Sequence, residues 1–336
     1  MDFTNRTPFP AKLLTGSTGE REILAIVACK VTYRLEQERL VPVTGDDAWP
    51  VFDKPYEFEK VSLAPDLEFR KRGIDILVFG KVIAPQGKAV RSMRVAVECG
   101  QIRHQVAVFG DRVWRKAMLR FVPSEPEPFL EMPLTNDRAF GGKAKMYGAE
   151  VAHPINPDGR GFLFEKEEVE GTPLPNIEDP DALIKTWQDK PRPACFFKPL
   201  GILEKKNLPE EHPERVPFRV MPTLFNQAVP ELVAQPEDLG DSLRLIGFAP
   251  DGDIVFPMPS VKGPSVHARV GDLQSRFPAT LSTLLVLAPE RVLVASYLAL
   301  FRYLMRPMEK RQAELKWPED AQAEKVVARG VAHGRQ

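Results

Sequence analysis

Four acidic side chains could perform acid–base chemistry: Asp75, Asp111, Asp137 and Glu178. A pair of carboxylates can cleave a glycosidic bond when about 5 to 9 Å separates the two groups. Spacing along the sequence does not fix that distance, and Asp or Glu in turns more often accepts hydrogen bonds from backbone amides. A carbohydrate-active or other hydrolytic enzyme therefore stays an alternative, and we expect these acids to organise loops.

A nucleophilic set can also be assembled, from Ser62, His104 or His153, and Asp75. No glycine-flanked nucleophile elbow supports it. The five histidines are scattered without a pair at metal-ligand spacing. The segment Gly141-Gly142-Lys143 lacks the preceding strand and the spacing of a phosphate-binding loop. We therefore expect no catalytic residue, no cofactor and no metal.

The segment Val108–Trp114 offers a role in recognition. Asp111 is placed to accept amides at a strand exit, and Arg112 with Trp114 is a combination enriched at binding hot spots. The alternative is that Trp114 packs in the core while Arg112 pairs with a loop acid such as Asp137 or Glu178. We favour the core position for Trp114, because large aromatic residues dominate protein cores.

The stretch from 131 to 178 is rich in turn-forming residues and has hardly a regular hydrophobic period. Long loops of this kind are either disordered or functional. Phe140, Phe162 and Ile177 are spaced as anchors, which predicts an ordered loop laid over a sheet. Gly141 and Gly142 are expected to adopt backbone angles closed to other residues. The residues proposed to organise this loop or to contact a partner are Asp75, Asp111, Arg112, Trp114, Asn136, Asp137, Arg138, Phe140, Gly141, Gly142, Asn176 and Glu178.

The elements that must position these residues are mostly strands. Alternating and β-branched runs, together with Gly-Gln and Ala-Pro turns, predict strand pairs at 22–35 with 40–43, 90–99 with 102–109, 244–248 with 254–256, and 282–287 with 292–300, besides an apolar strand at 74–84. Short helices are predicted at 180–187 and 308–317. The sequence thus predicts a mainly β protein of antiparallel, sandwich-like sheets with long ordered loops and few short helices.

Proline and charge content divide the chain into regions. We predict an N-terminal β domain at 1–200 with a long loop insertion at 121–180, and a linker or exposed loop at 201–217. A C-terminal β-hairpin region then spans 218–310, and residues 311–336 form a charged tail that frays.

Composition excludes several function classes. Lys plus Arg and Asp plus Glu both total 46, so the net charge is zero, which argues against nucleic-acid binding. The sequence has no run of eighteen apolar residues and no signal-peptide pattern, so we expect a cytoplasmic protein without a membrane role. The three cysteines, Cys29, Cys99 and Cys195, are expected to be reduced, and Cys29 and Cys99, which lie in apolar strand-like runs, are expected to be buried.

Several motifs in one order resemble a known family. They are Lys30-Val31-Thr32-Tyr33, Ser62–Leu67, Lys71–Gly80, Gly110-Asp111-Arg112-Val113-Trp114, Met132-Pro133-Leu134, Arg138–Gly142, Asn156-Pro157 with Gly159-Arg160-Gly161, and Leu174–Glu178. Together they resemble the bacterial domain of unknown function 2169 family, over roughly residues 3 to 300. Its members are typically encoded beside type VI secretion spike genes, near PAAR-tip proteins and toxins.

The resemblance implies an adaptor or chaperone that helps to mount a type VI effector, or a PAAR-domain protein, on the VgrG spike. A structural component of the spike is a further alternative. The chain departs from the family pattern at Ser282–Val286, which lacks an expected acid, and at Phe301-Arg302, where tryptophan-arginine is common.

Overall fold

The computed structural model describes residues 1–17, 22–59, 61–67, 71–198, 226–304 and 308–317. The predicted linker at 201–217 lies outside these residues, as does most of the predicted tail, from 318 onward.

Strands dominate the described residues. Those of the first half are β1 (Asp2–Asn5), β2 (Ala11–Ser17), β3 (Glu22–Glu36), β4 (Arg39–Val43), β5 (Tyr56–Phe58), β6 (Val61–Leu63), β7 (Ile74–Phe79), β8 (Lys81–Ile83), β9 (Ser92–Cys99), β10 (Ile102–Phe109), β11 (Trp114–Ala117) and β12 (Arg120–Pro123).

The later strands begin with short ones and end with the long ones. They are β13 (Glu131–Pro133), β14 (Phe140–Gly141), β15 (Lys143–Met146), β16 (Ala149–Ala152), β17 (Arg160–Gly161), β18 (Ile177–Glu178), β19 (Val233–Ala234), β20 (Ser242–Ala249), β21 (Gly252–Pro257), β22 (Lys262–Val270), β23 (Leu273–Leu287), β24 (Val292–Leu304) and β25 (Arg311–Lys316). The described helices are single 3-10 turns at Gly45–Asp47, Pro85–Gly87, Asn136–Arg138, Lys166–Glu168, Pro230–Leu232 and Pro236–Asp238.

In the described part of the chain, the largest sheet has ten strands and is built around three long ones, β3, β23 and β24. β23 and β3 lie on either side of β24, and each has two successive partners along its other edge. The first part of β23 pairs with β22 and its last part pairs in parallel with β7, while β3 pairs first with β2 and then with β4. Strands from both predicted regions therefore share this sheet.

One half of this sheet must curl. Along the order β1-β25-β22-β23-β24-β3-β2, six gaps of about 4.8 Å would place the outer strands about 29 Å apart in a flat sheet. The connection from Asn5 to Ala11 reaches at most about 21 Å. Pairing also extends into this connection from both edges, since Arg6 N donates to Leu315 O beside β1 and Lys30 N donates to Pro10 O beside β2, each at 2.9 Å. Only residues 7–9 then separate the two paired edges, which must therefore lie close together.

A five-stranded sheet, in the order β18-β10-β9-β20-β21, packs on the other half. Both sheets contribute to a single apolar core. Val97 and Val106 come from the smaller sheet, and Ile76, Leu284 and Leu293 come from the larger one. In strands with one buried face, buried and exposed residues alternate, whereas β7 is buried along its whole length. The predicted mainly β, sandwich-like fold is confirmed.

Residues 110–190 form a layer of short strands and turns, here called the loop platform. It has a core of its own, which contains Trp114, Phe140, Phe162 and Leu174. Its last strand, β18, joins the five-stranded sheet by pairing with β10. The predicted loop is thus ordered and attached to a sheet, and it contains short strand pairs that the sequence did not predict.

The four predicted strand pairs are confirmed, and the apolar run 74–84 is divided into β7 and β8 at Gly80. The two predicted helices are wrong. Residues 311–316 alternate between exposed and buried positions and pair on both sides, with β1 and β22, so sheet pairing overrides a modest helix propensity and this part of the predicted tail is a strand.

The segment 180–187 contains turns. Its amides are bonded to acidic side chains. Ile184 N donates to Glu178, and Lys185 N and Thr186 N both donate to Asp189. Those amides satisfy their hydrogen bonds without a helical carbonyl, which explains why no helix forms.

Candidate functional site

The acid Asp75 is buried in the sheet, away from the loop platform. On β7 its side chain is 0% exposed and accepts hydrogen bonds from Asn226 Nδ2 at 2.7 Å and Gln227 N at 3.0 Å. Lys71 Nζ lies 3.3 Å from the same carboxylate and donates to Thr283 Oγ1. Asp75 therefore joins the segments around 71 and 226 to the core. The sequence prediction grouped it with the acids of the stretch from 110 to 178, but none of these contacts involves a residue of that stretch.

Arg112 and Glu178 form a buried ion pair. Arg112 Nη2 donates to Glu178 Oε1 and to Pro175 O, the latter at 2.7 Å, and the guanidinium lies 4.0 Å from the centre of the Phe109 ring. The second oxygen of Glu178 accepts from Ile184 N at 2.8 Å. This pair links the start of the loop platform to its end, and it is one of the two pairings that the sequence analysis weighed for Arg112.

Asn176 is the centre of a group that we call the charge cluster, consisting of Asp111, Asp137, Arg138, Arg160 and Asn176. Its Nδ2 donates to Phe109 O at 3.1 Å and to Asp111 Oδ1 at 2.9 Å. Its Oδ1 accepts from Arg138 Nη1 at 3.0 Å and from Arg160 Nη1 at 3.2 Å. Because the backbone of Asn176 bonds to Phe109 and Arg138 as well, this residue fixes three segments of the platform.

The arginines of the charge cluster complete the network. Arg138 Nη1 lies 3.3 Å from Asp111 Oδ1, and Arg160 Nε donates to Asp137 O at 2.7 Å. Partial burial and the nearby Arg138 lower the pKa of Arg160, and the two aspartates oppose that shift. The cluster lies at the protein surface, where its positive and negative side chains alternate, and Asp111 and Asp137 are more exposed than the two arginines.

The glycine pair lies where two segments of the platform touch. Gly141 has φ +146° and Gly142 has φ +94°, so the predicted backbone angles are confirmed. A Cβ on Gly141 would lie 2.1 Å from Asn156 O, and one on Gly142 would lie 2.4 Å from Gly159 O. The neighbouring Phe140 is buried in the platform core.

Trp114 is 1% exposed in the same core, which confirms the core position that the sequence favoured. Asn136 is half-buried, and its carbonyl accepts a hydrogen bond from Asn156 Nδ2 at 2.8 Å. The structure thus brings together all the predicted site residues except Asp75.

Sequence reasoning missed three features. Arg160 and Asn156 hold the platform, and their position beside glycines in a predicted turn was the available signal. Lys30 and Asp66 form a buried ion pair at 2.6 Å, and burial lowers the pKa of Lys30 more than Asp66 raises it. The exposed pair Met118 and Leu119, at the turn between β11 and β12, was also missed. No signal in the sequence marks this turn, because Met and Leu are not turn-forming residue types.

Among the residues that the structure describes, two cavities lie on the ten-stranded sheet. One of about 650 Å³ is lined by polar residues such as His267, Arg276 and Glu314. The other, of about 300 Å³, is lined by apolar residues such as Phe277 and Phe301 and by charged residues such as Arg302. Neither is lined by a predicted site residue.

Cys29 and Cys99 are buried, as predicted, and Cys195 is buried as well. Burial raises the pKa of Cys29 and of Cys195 to about 12. Within the described ranges, no group of three or more His, Cys, Asp or Glu side chains is placed to hold a metal ion. None of the described helices is long and apolar enough to cross a membrane.

The family described as "Uncharacterized protein conserved in bacteria (DUF2169)" matches residues 20–297, which is most of the chain. The chain belongs to this family. The DUF2169 match includes the whole loop platform and the strands that carry it, while β1, β2 and β25 lie outside the matched residues. No curated protein and no solved structure matches the chain.

Proposed function

We propose that this DUF2169 protein is an adaptor or chaperone. It would bind a type VI secretion effector, or the PAAR-domain protein that carries it, and hold it until it docks on the VgrG spike. The motifs that resemble the family support the setting, because members of that family are typically encoded beside spike genes. The family match supports the resemblance on which this setting rests.

The observation that carries the proposal is how the candidate acids are used. Asp75 and Glu178 are buried and bonded to a cation and to backbone amides, and Asp111 is bonded to Arg138 and Asn176. A general acid or base must come within hydrogen-bonding reach of the proton that it transfers. Asp75 instead joins segments of the core, and Glu178 and Asp111 stabilise the loop platform. These structural roles favour recognition over hydrolysis.

The loop platform has the properties of a recognition surface. Loops held on a rigid scaffold commonly carry binding function. Its own core and the charge cluster fix its backbone, so a partner would lose little entropy in ordering it. A specific complex needs about 800 Å² of buried surface on each partner.

Co-purification tests the proposal directly. The protein is co-expressed with the tagged effector or PAAR-domain protein encoded beside its gene, and the complex is analysed by size-exclusion chromatography. We expect one stable complex, and a partner that is less soluble when expressed alone. An effector from an unrelated cluster is the control for specificity. If the native partner is equally soluble alone and forms no complex, the proposal fails.

Deleting the gene provides the test in the cell. We expect the neighbouring effector to be depleted, or soluble but unsecreted, while the secretion tube still fires. Normal export of that effector would contradict the adaptor role. Recovery of the protein itself among secreted components would favour a structural part of the spike.

Asn136 and Asp137 allow the platform surface to be tested. Asp137 is exposed and Asn136 is half-buried, and their side chains contribute less to the platform core than Phe140 does. Changing both residues to alanine is expected to weaken the complex and to leave the thermal midpoint within a few degrees of the wild type.

A further inference from the structure

The hairpin of β11 and β12 carries two exposed apolar side chains at its turn. Met118 is 94% exposed and Leu119 is 99% exposed. Single exposed apolar residues are ordinary on protein surfaces. Two adjacent ones that are almost completely exposed, at the end of a two-stranded ribbon, form a projecting apolar tip. We call Met118 and Leu119 the hairpin tip.

The backbone of the turn disfavours the residue that occupies it. Met118 has φ +54°, a left-handed conformation that glycine adopts without strain and that Asn tolerates better than most residues. A two-residue turn with polar side chains lies between β3 and β4, where Gln37 and Glu38 have φ +46° and +63°. Local folding preferences therefore do not explain the methionine, and places where a sequence departs from them are expected to be functional.

The base of the hairpin is firmly anchored. Trp114 is buried in the platform core; its N donates to Thr172 O at 3.0 Å, and its O accepts from Gly171 N at 2.8 Å. Ser124 N donates to Val113 O at 2.8 Å on the other strand. A rigid base presents the tip in one position, which reduces the entropy lost on binding.

The charges around the tip indicate what it binds. Arg115, Lys116 and Arg120 are exposed beside it, and residues 112–123 contain no Asp or Glu. An apolar pocket with acidic residues on its rim would complement these charges. An anionic membrane fits less well. The exposed Glu170 adjoins Gly171 at the hairpin base, and the whole chain has zero net charge.

We propose that Met118 and Leu119 insert into an apolar pocket, bordered by Asp or Glu, on the protein that the loop platform binds. This inference rests on the proposed function and adds to it the chemistry of the contact. The tip acts as the apolar anchor, and the three cations steer the partner into position.

Replacing the tip with better turn residues separates binding from folding. In the variant Met118→Gly with Leu119→Asn, the turn gains residues suited to it, so we expect the thermal midpoint to be equal to the wild type or higher. Binding to the purified effector or PAAR-domain protein encoded beside the gene should weaken at least tenfold by titration calorimetry. The matched control is Gln37→Asn with Glu38→Gly, which alters the turn between β3 and β4 and should bind as the wild type does.

The outcomes separate the two proposals. If the wild type binds its partner and the tip variant binds equally well, the inference is overturned and the adaptor function stands. If the wild type binds neither partner, the adaptor function is overturned and the inference falls with it. Wild-type binding to phosphatidylglycerol vesicles that the tip variant loses would overturn the inference in favour of a lipid surface.

A charge-reversal variant tests the acidic rim. Arg115→Glu, Lys116→Glu and Arg120→Glu together should slow association with the same partner at least tenfold, and added salt should reduce the difference from the wild type. An unchanged association rate would overturn the proposed acidic rim.

Discussion

At the scale of single residues, the loop platform depends on side chains that bond to several segments at once. Asn176 uses its amide oxygen, its amide nitrogen and its backbone to connect Phe109, Asp111, Arg138 and Arg160. A short neutral side chain can occupy this buried position because all its polar atoms are bonded.

The buried pair of Arg112 and Glu178 gives the first prediction. Removing one member leaves an uncompensated buried charge, so Arg112→Ala should lower the free energy of unfolding by about 3 to 5 kcal/mol. Arg115→Ala, on the exposed face of β11, should change it by less than about 0.5 kcal/mol. Urea denaturation measures both. If Arg112→Ala unfolds at the wild-type midpoint and a hydrolytic activity disappears, the adaptor function is in doubt.

His104 gives a prediction on pH. Burial lowers its pKa from the ordinary value of 6.5, and Nε2 has no hydrogen-bond partner in the described part of the chain. As the pH falls below about 6.5, the unfolded chain takes up a proton that the folded protein resists binding, so the free energy of unfolding decreases. In His104→Leu this decrease should be smaller between pH 7.5 and pH 5.5. Denaturation curves that give the same decrease in the free energy of unfolding for both proteins would contradict this account.

At the scale of elements, the platform is held by close backbone contact as well as by charge. Gly142 and Gly148 both have positive φ, at +94° and +78°. A Cβ would meet Gly159 O at 2.4 Å in the first case and nothing within 4 Å in the second.

The two glycines form a matched pair for mutation. Both alanine variants should carry the backbone strain of positive φ, about 1 to 3 kcal/mol. Gly142→Ala should cost more, because the contact with Gly159 must also open. Chemical denaturation of the two variants gives the difference directly. Equal losses of unfolding free energy in the two variants would mean that the segments at Gly142 and Gly159 separate at no cost.

The strand pairs could be predicted because their signals are local. Gly100 lies in the turn between β9 and β10, and Ala249 pairs with Gly252 at the turn between β20 and β21. The parallel pairing of β7 with β23, by contrast, joins segments that are distant in sequence, and no local pattern encodes such a partner. The helix prediction for residues 311–316 was wrong for the same reason, because their strand conformation depends on β1 and β22.

The site was only partly predictable. The sequence identified turn residues of the platform correctly because Gly, Asn and Asp have strong conformational preferences. It could not separate Asp75 from the loop acids, since their distances depend on packing. It also missed Met118 and Leu119, because the exposure of an apolar side chain depends on the packing around it.

At the scale of the whole molecule, aromatic packing closes the curled half of the large sheet where its two edges, β1 and β2, approach each other. Phe9 lies in the short connection between those edges, is 3% exposed and packs edge-on against Trp317, with ring centres 5.6 Å apart. Trp317 also contacts Tyr297 on β24.

Phe9→Ala should therefore destabilise the protein by about 3 to 5 kcal/mol, since a buried phenyl ring is lost. Phe164→Ala, at a partly exposed ring of the loop platform, should cost much less. Thermal denaturation followed by circular dichroism tests both variants. Similar midpoints for the two would show that this aromatic packing contributes little.

The pairing of β3 with β24 also has a consequence for how the protein is made. Arg34 pairs with Val292, so the longest early strand leaves the ribosome well before its partner exists. At 5 to 20 residues per second, translation of the intervening chain takes on the order of ten seconds to a minute. During that time the apolar stretch of β3 from Leu24 to Val31 can pair with β2 but lacks its neighbour β24, and this open edge is exposed to aggregation. A protein proposed to act as a chaperone for others would thus itself need protection from aggregation while it is synthesised.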